Sequence, residues 1–428
     1  MKVYIETYGC ALNHGDSALM KMVLREAGFE IVDRIEDSDV VIINTCIVRS
    51  ETEVRMIKRL KELRKLGKKI VVAGCMASAL PVTVRKIVPE AVLLTPQAVD
   101  RVVEAIRAPP GTIVRAERKS FERLPMVVEG VRVTIPVAEG CLDECSFCIV
   151  RIARPRLASA PIEKVVDAVR KAVAAGAREL EITAQDLGVY GVDLYGKPSF
   201  VELLRAILSI DADFVLRIGQ INPKYLADYL DEMIDILRDP RVYKHLHIPV
   251  QSGDDNVLKV MNRGHDVELF ENLVKEFRSK IVGIQIATDI IVGHPGEDDV
   301  AFLNTLKLLV DLELDRVHIA RFSPRPMTKA ASMPQVSDDV KKLRSRCCTY
   351  VYELVGLYTH LWYVGSTAQA IITEIDPERG TYVARLFNYK PVVLEKCEES
   401  DLLGKRVIIK IDDATFYDLR GKVLRVVD

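Results

Sequence analysis

Cys141-Leu142-Asp143-Glu144-Cys145-Ser146-Phe147-Cys148 places three cysteines at the spacing C-x3-C-x2-C. Structural zinc usually takes four ligands from paired knuckles, and neither a second pair nor a nearby histidine follows this loop. Three thiolates on one short loop suit instead a [4Fe-4S] cluster with one iron left unligated by protein, an open place for a substrate or cofactor. A cluster kept only for electron transfer or structure is the alternative. Val133 to Ala138, just before the loop, reads as a β-strand, so the cysteines stand beyond a strand's carboxyl end.

Working outward, residues 131 to 330 repeat a strand-then-helix pattern, with strands ending near Glu139, Thr183, Ile218, Val250, Val292 and Phe322. Helical segments lie between them, for example Ile162 to Ala175, preceded by Pro161 and followed by Gly176. Six such units predict a full or partial β/α barrel, which carries its chemistry at the carboxyl ends of its strands. After a last helix over roughly Asp338 to Tyr358, the pattern changes at Gly365 to short alternating strands: Ala368 to Ile375, Tyr382 to Phe387, Val407 to Ile411 and Lys422 to Val426. That reads as a small β-barrel.

Toward the amino terminus, Val3 to Thr7, Val40 to Thr45 and Lys69 to Ala73 are β-branched runs, with a weaker one at Ala91 to Thr95. Asp16 reads as the cap of a helix that stops at Gly28, and Ser50 with Glu53 as a capping box for a helix that stops at Gly67. This alternation predicts a doubly wound parallel sheet over residues 1–108. Ala108-Pro109-Pro110-Gly111 opens a linker over 109–130, followed by a barrel domain over 131–362 and a tail domain over 363–428. Cys10, Cys46 and Cys75 each directly follow one of the amino-terminal strands. Neighbouring strands of an open parallel sheet share one crevice at their carboxyl ends, so these three are positioned to bind a second cluster. Taken singly, each is equally a small buried residue. Cys347, Cys348 and Cys397 show no such logic and read as core filling or incidental thiols.

The 428 residues make room for about three domains. With 60 Lys and Arg against 61 Asp and Glu the formal charge is -1, so any nucleic-acid contact must be local. The longest apolar run, Ile70 to Leu80, has 11 residues and stops at Pro81, too short to span a bilayer. The first ten residues lack the regions of a signal peptide, and the expectation is a cytoplasmic protein. Nine cysteines in such a chain favour metal, redox or core roles over disulfides. Only 8 Asn and 7 Gln beside 28% charged residues resemble thermophile composition.

The cysteine spacing, with Phe147 before the last cysteine, resembles the radical S-adenosylmethionine (SAM) family. That resemblance implies that the open iron chelates SAM, that an electron from the cluster cleaves it to a 5′-deoxyadenosyl radical, and that Phe147 lies near the adenine. With Tyr8-Gly9-Cys10, Asn44-Thr45-Cys46 and Gly74-Cys75 ahead of the barrel and a small β-barrel behind it, the chain resembles the methylthiotransferases over almost its full length. Four stretches resemble the archaeal and eukaryotic subgroup that acts on N6-threonylcarbamoyladenosine at position 37 of tRNA. They are Leu246 to Gly253 (LHIPVQSG), Thr288 to Glu297 (TDIIVGHPGE), Phe322 to Thr328 (FSPRPMT) and Asn388 to Val393 (NYKPVV).

Membership of that subgroup implies an enzyme with two [4Fe-4S] clusters, in which a radical abstracts hydrogen from adenine carbon 2, the amino-terminal cluster supplies or carries sulfur, and a second SAM gives the methyl group. It implies a TRAM tail that binds RNA, the tRNA anticodon stem-loop as partner, an electron donor such as flavodoxin or ferredoxin, a sulfur source and no membrane. Gln185 matches a family SAM contact, with Ala184 standing where the family has Gly. Arg217, Gln251 and Ser252, at later strand ends, are further SAM candidates whose alternative is a plain polar cap. At Ala153-Arg154-Pro155-Arg156 the family commonly shows Ala-Arg-Gly, and Pro155 restricts the backbone of Arg154.

For RNA, the tail from Gly365 holds 10 basic and 11 acidic residues and gives no signal of its own. Residues 48 to 69 hold nine Lys or Arg against three Glu, which usually marks a solvated helix face. Arg151, Arg154 and Arg156 follow the cysteine loop, and Arg321, Arg325 and Lys329 gather at the last barrel strand; such groups suit phosphates or the substrate's carboxylate. Rival readings are the same chemistry on an isopentenyladenosine tRNA or a ribosomal-protein aspartate, or a non-catalytic iron-sulfur RNA-binding protein.

Overall fold

The molecule is described by a computed structural model covering residues 1–376, 378, 380–395 and 402–427. Cys397 lies outside these residues. The amino-terminal β-branched runs form a parallel sheet of β1 (Lys2–Thr7), β2 (Glu30–Val32), β3 (Val40–Thr45), β4 (Lys69–Gly74), β5 (Val92–Leu94) and β6 (Ile113–Val114), in the order β2-β1-β3-β4-β5-β6. Strand order reverses between β1 and β3, which is where an open sheet leaves its crevice. β3 is buried along its whole length, as a strand covered on both faces must be. Val40 and Ile42 pack with one apolar cluster, and Val41 and Ile43 with another that also takes in Ile149 and Ala153 beside the cysteine loop. The sheet and the barrel therefore share a core where the two cysteine sets meet.

Three local expectations are corrected. The first helix is Ala11–Glu26 with Cys10 at its cap position, so Asp16 is no cap but a buried residue inside the helix. The second is Ser50–Arg64 with Arg49 at the cap; no capping box forms, because Glu53 turns to Arg325. The stretch 109–130 is not a bare linker: β6 extends the first sheet and β7 (Val127–Glu129) pairs antiparallel with β8 (Arg132–Pro136). Gly28 and Gly67 do follow the helix ends, both at positive φ.

The central domain continues with a short ribbon, β9 (Ala138–Glu139) and β10 (Ala158–Ser159), which frames the cysteine loop. Parallel strands β8, β11 (Glu179–Thr183) and β12 (Val215–Ile218) form one arc, and β13 (His245–His247), β14 (Gln285–Val292) and β15 (Arg316–Arg321) another. Bridges Leu216 to Val242 and Gln220 to His247 join the arcs. No ladder links β15 back to β8 among the described residues, so the barrel is partial. The fourth strand stops at His247, three residues before the expected Val250.

The helix Asp338–Leu361 leads to a closed five-stranded barrel of β16 (Thr367–Asp376), β17 (Thr381–Leu386), β18 (Pro391–Leu394), β19 (Arg406–Ala414) and β20 (Leu419–Val427), in the order β16-β17-β18-β20-β19. The strand missing from the sequence reading is β18, four residues opening on a proline. Between β17 and β18, Tyr389 enters the amino end of the central barrel. Its ring lies edge-on to Tyr243 at 5.0 Å, with the Arg217 and Arg385 guanidiniums each 4.7 Å from its centre.

Candidate active site

The cysteine loop is pinned by backbone bonds on three sides: Ser146 N donates to Met261 O at 2.9 Å, Ala330 N to Ser146 O at 2.9 Å, and Cys148 N to Cys145 O at 3.1 Å. Gly140 enters it at φ +89, and a Cβ there would stand 2.2 Å from the Arg156 carbonyl oxygen, so only glycine fits. Gln185 accepts the Gly140 N–H at 2.8 Å. Asp143 is held by Asn222 at 2.6 Å and Tyr225 at 2.8 Å. Cys141, Cys145 and Cys148 line one cavity with Phe147, Gln185 and Gln251. Burial pushes the Cys141 thiol up to about 12, with Asp186 adding to the shift. A bound cation reverses that preference, since metal ligation requires the thiolate. Three free sulfurs lining one cavity fit a cluster site.

The amino-terminal set converges as its strand positions predict. Cys10, Cys46 and Cys75 line a second cavity of about 240 Å³ together with Thr183, Ala184 and Gln185 from the barrel's strand ends. Asn13 ties the three cysteine-bearing loops together: its Nδ2 donates to Tyr8 O at 2.8 Å and Thr45 O at 2.9 Å, and its Oδ1 lies 3.9 Å from Cys75 Sγ. Thr45 adds a link to β4 and the residues just beyond it, donating to Ala73 O at 2.6 Å and accepting Met76 N at 3.1 Å. Gly74 has φ +85, and a Cβ would meet Asn44 Oδ1 at 2.2 Å. Burial raises the Cys75 thiol to about 12, against the lowering effect of Arg154. Sulfur donors again converge where their charge requires a cation.

Arg154 is the link between the two sets and is corrected from the RNA-facing role expected of it. It is 1% exposed, pairs with Asp16 at 2.6 Å and with Glu139, and donates to Asn13 Oδ1 at 3.0 Å. Lys119 completes the cluster by pairing with Asp16 and, at 3.1 Å, Glu139. Burial raises the Glu139 pKa, but Arg154 and Lys119 outweigh it and hold the carboxyl below its usual range. Two acids and two bases, all buried, thus compensate one another.

Three other expectations change. Arg325 is 3% exposed and bound to Glu53, so it does not face RNA. Arg217 is paired with Glu181 and stacked on Tyr389, although it still edges the second cavity. Ser252 is buried against Thr305 and lines none of the cavities described here. Lys224, which carried no role in the sequence reading, pairs with Asp143. Arg151, Arg156, Arg321 and Lys329 are at the surface or half-exposed, with the first three paired to Glu144, Glu117 and Glu51.

A third cavity, about 410 Å³, lies between Phe147 and Cys148 on one side and Phe322 and Ser323 on the other. It shares Val150 and Gln220 with both cysteine cavities, so the three adjoin around these two residues. In its wall, Asp289 Oδ1 stands 3.0 Å from both His247 Nε2 and His318 Nδ1. Burial raises Asp289, but hydrogen bonds from these two rings hold it well below the usual carboxylate range. His247 and Asp289 fall within quoted motif stretches; His318 and Arg263, which donates to Cys145 Sγ at 3.2 Å, carried no local signal.

This arrangement, a three-cysteine loop at the carboxyl ends of a partial β/α barrel, defines a radical SAM protein, and the family model described as Radical SAM superfamily matches residues 135–309. Models described as Uncharacterized protein family UPF0004 and TRAM domain match residues 2–95 and 361–424. The chain is similar over 427 residues, at 37% identity, to a protein of Methanocaldococcus jannaschii named probable threonylcarbamoyladenosine tRNA methylthiotransferase, covering 99% of this chain and 97% of that one. To the human threonylcarbamoyladenosine tRNA methylthiotransferase it is 34% identical, covering 98% and 74%. The chain belongs to the threonylcarbamoyladenosine tRNA methylthiotransferase family. Among solved structures, the radical SAM methyltransferase TsrM of Kitasatospora setae shares the fold with a TM-score of 0.58 at 16% identity, over 77% of this chain and 75% of that one.

Proposed function

We propose that this chain converts N6-threonylcarbamoyladenosine at position 37 of tRNA to its 2-methylthio derivative. The observation that carries the reading is that the cavities adjoin, sharing Val150 and Gln220, so that both cysteine sets lie around one region at the barrel's strand ends. Cys141, Cys145 and Cys148 would hold one [4Fe-4S] cluster, and Cys10, Cys46 and Cys75 a second. When bound, the clusters and SAM supply the radical and sulfur chemistry that no acid or base among the side chains offers.

The chain's own residues bind and orient. Gln185 and Gln251 edge the space beside the cysteine loop, where SAM would bind, and Phe147 forms a wall shared with the third cavity. That third cavity has apolar sides, the rings of Phe147 and Phe322 with the aliphatic Ile290, that suit a purine turned out of its stack. Arg151, Arg156, Arg321 and Lys329 supply cations for the anticodon stem-loop. An electron donor such as flavodoxin or ferredoxin, a sulfur source and a cytoplasmic setting complete the reading. Among the described residues no helix is long and apolar enough to cross a membrane.

The test is anaerobic reconstitution with mass spectrometry of tRNA nucleosides from a deletion strain. Iron near eight per chain, about four per cluster, and loss of the methylthio nucleoside with regain on complementation are expected. Cys145→Ala must abolish SAM cleavage, and Cys46→Ala must lower iron toward about four while sparing it. A deletion strain with unchanged methylthio-nucleosides sinks the proposal.

A further inference from the structure

Among the described residues, seven guanidiniums line the three adjoining cavities, and six of them are already engaged. Arg154, Arg217 and Arg325 are buried or half-buried in ion pairs, and Arg263 donates to Cys145 and to Pro249 O. Arg151 pairs with Glu144 at 2.5 Å and Arg321 with Glu51 at 3.1 Å. The seventh, Arg49, is exposed at the edge of the 410 Å³ cavity and has no acidic partner or acceptor among the described residues. Its place is set from both sides. Cys46 lies three residues before it, and the next residue, Ser50, donates its N–H to Ser323 Oγ on the opposite lip at 3.4 Å.

We infer that Arg49 is a specificity-determining residue, pairing with the carboxylate of the threonylcarbamoyl group while the purine lies in the 410 Å³ cavity. This deepens the proposed function and rests on it. A guanidinium and a carboxylate match as two parallel charge-assisted hydrogen bonds. Arg321 stands on the same rim, and its link to Glu51 is solvent-exposed and weak enough to be shared. An isopentenyl group in the same cavity would set hydrocarbon against an unpaired cation, which selects against the apolar substrate.

A backbone phosphate offers the same anionic chemistry, so the test separates the two sources. Anticodon stem-loop RNAs carrying the modified adenosine as the free acid and as its methyl ester are titrated into reconstituted holoenzyme by fluorescence anisotropy. Wild type is expected to bind the acid about tenfold to a hundredfold more tightly than the ester, the range of a hydrogen bond to a charged group. Arg49→Gln should bind both alike, and Arg49→Lys should recover part of the difference. Equal affinity of wild type for acid and ester overturns the inference. So does an equal loss on both RNAs in Arg49→Gln, which marks a phosphate contact. Turnover of the acid RNA, followed in the same preparation, judges the underlying activity separately from the binding comparison.

Discussion

Arg263 donates through Nη1 to the sulfur of Cys145 at 3.2 Å and is fixed there by a second bond, Nη2 to Pro249 O at 2.9 Å. A positive donor at a ligating sulfur eases electron entry into a cluster. Arg263→Ala, in enzyme retaining full iron, is therefore expected to have a cluster potential more negative by tens of millivolts and slower SAM cleavage. An electron paramagnetic resonance redox titration reads this directly; an unchanged midpoint refutes it.

Gly74 combines positive φ with a Cβ path blocked at 2.2 Å by Asn44 Oδ1 and at 2.7 Å by Thr45 O. Gly74→Ala must push β4 away from β3 and carry Cys75 with it. Iron per chain should fall by about half, one cluster of two, while SAM cleavage by the other site persists. Iron analysis showing full loading would count against Cys75 as a ligand.

Removing Arg154 leaves Asp16 and Glu139 with only Lys119 between them in a buried space. Breaking such a network by deleting one partner costs about 3–5 kcal/mol. Arg154→Ala should lose that much in chemical denaturation of the apo chain, and Arg154→Lys less. A midpoint equal to wild type would show that water enters the gap.

His245, His294 and His360 are buried, and burial lowers all three below the ordinary histidine range, His294 and His360 to about 4. The unfolded chain takes up their protons first, near pH 6.5. Stability is thus complete above about 6.5 and is lost as pH falls toward 4, by roughly 1–3 kcal/mol for each ring. Denaturation midpoints at pH 7.5, 6 and 5 should decline in that order, less steeply in His360→Gln. A flat profile would show that the rings are hydrated.

Much of the site was legible because its signals are local or follow a strand rule. The loop Cys141 to Cys148 declares itself by spacing, and Cys10, Cys46 and Cys75 by their common slot after β1, β3 and β4. What was not legible is distance. Arg263 lies 118 residues from the sulfur it touches, and Arg154 reaches Asp16 across 138 residues. Nothing in a sequence tells a buried arginine from an exposed one, so Arg154 and Arg325 carry the same local signal as an RNA contact. Asp16 as a cap and Glu53 as the capping-box partner of Ser50 fail for the same reason: a carboxylate near a helix start satisfies the local rule whether it bonds the backbone or a residue from another domain.

Tyr389 closes the amino end of the central barrel with a side chain of the terminal barrel, while the cysteines open at the other end. The two ends are separated by the length of β14, eight residues. At about 3.3 Å per residue, and with the tilt of barrel strands, that is roughly 20 Å. An RNA that touches the terminal barrel while offering a base to the cysteines must run along the outside of the molecule over that height. A single nucleoside can enter the mouth alone, whereas contact with the terminal barrel as well takes an RNA long enough to cover that height.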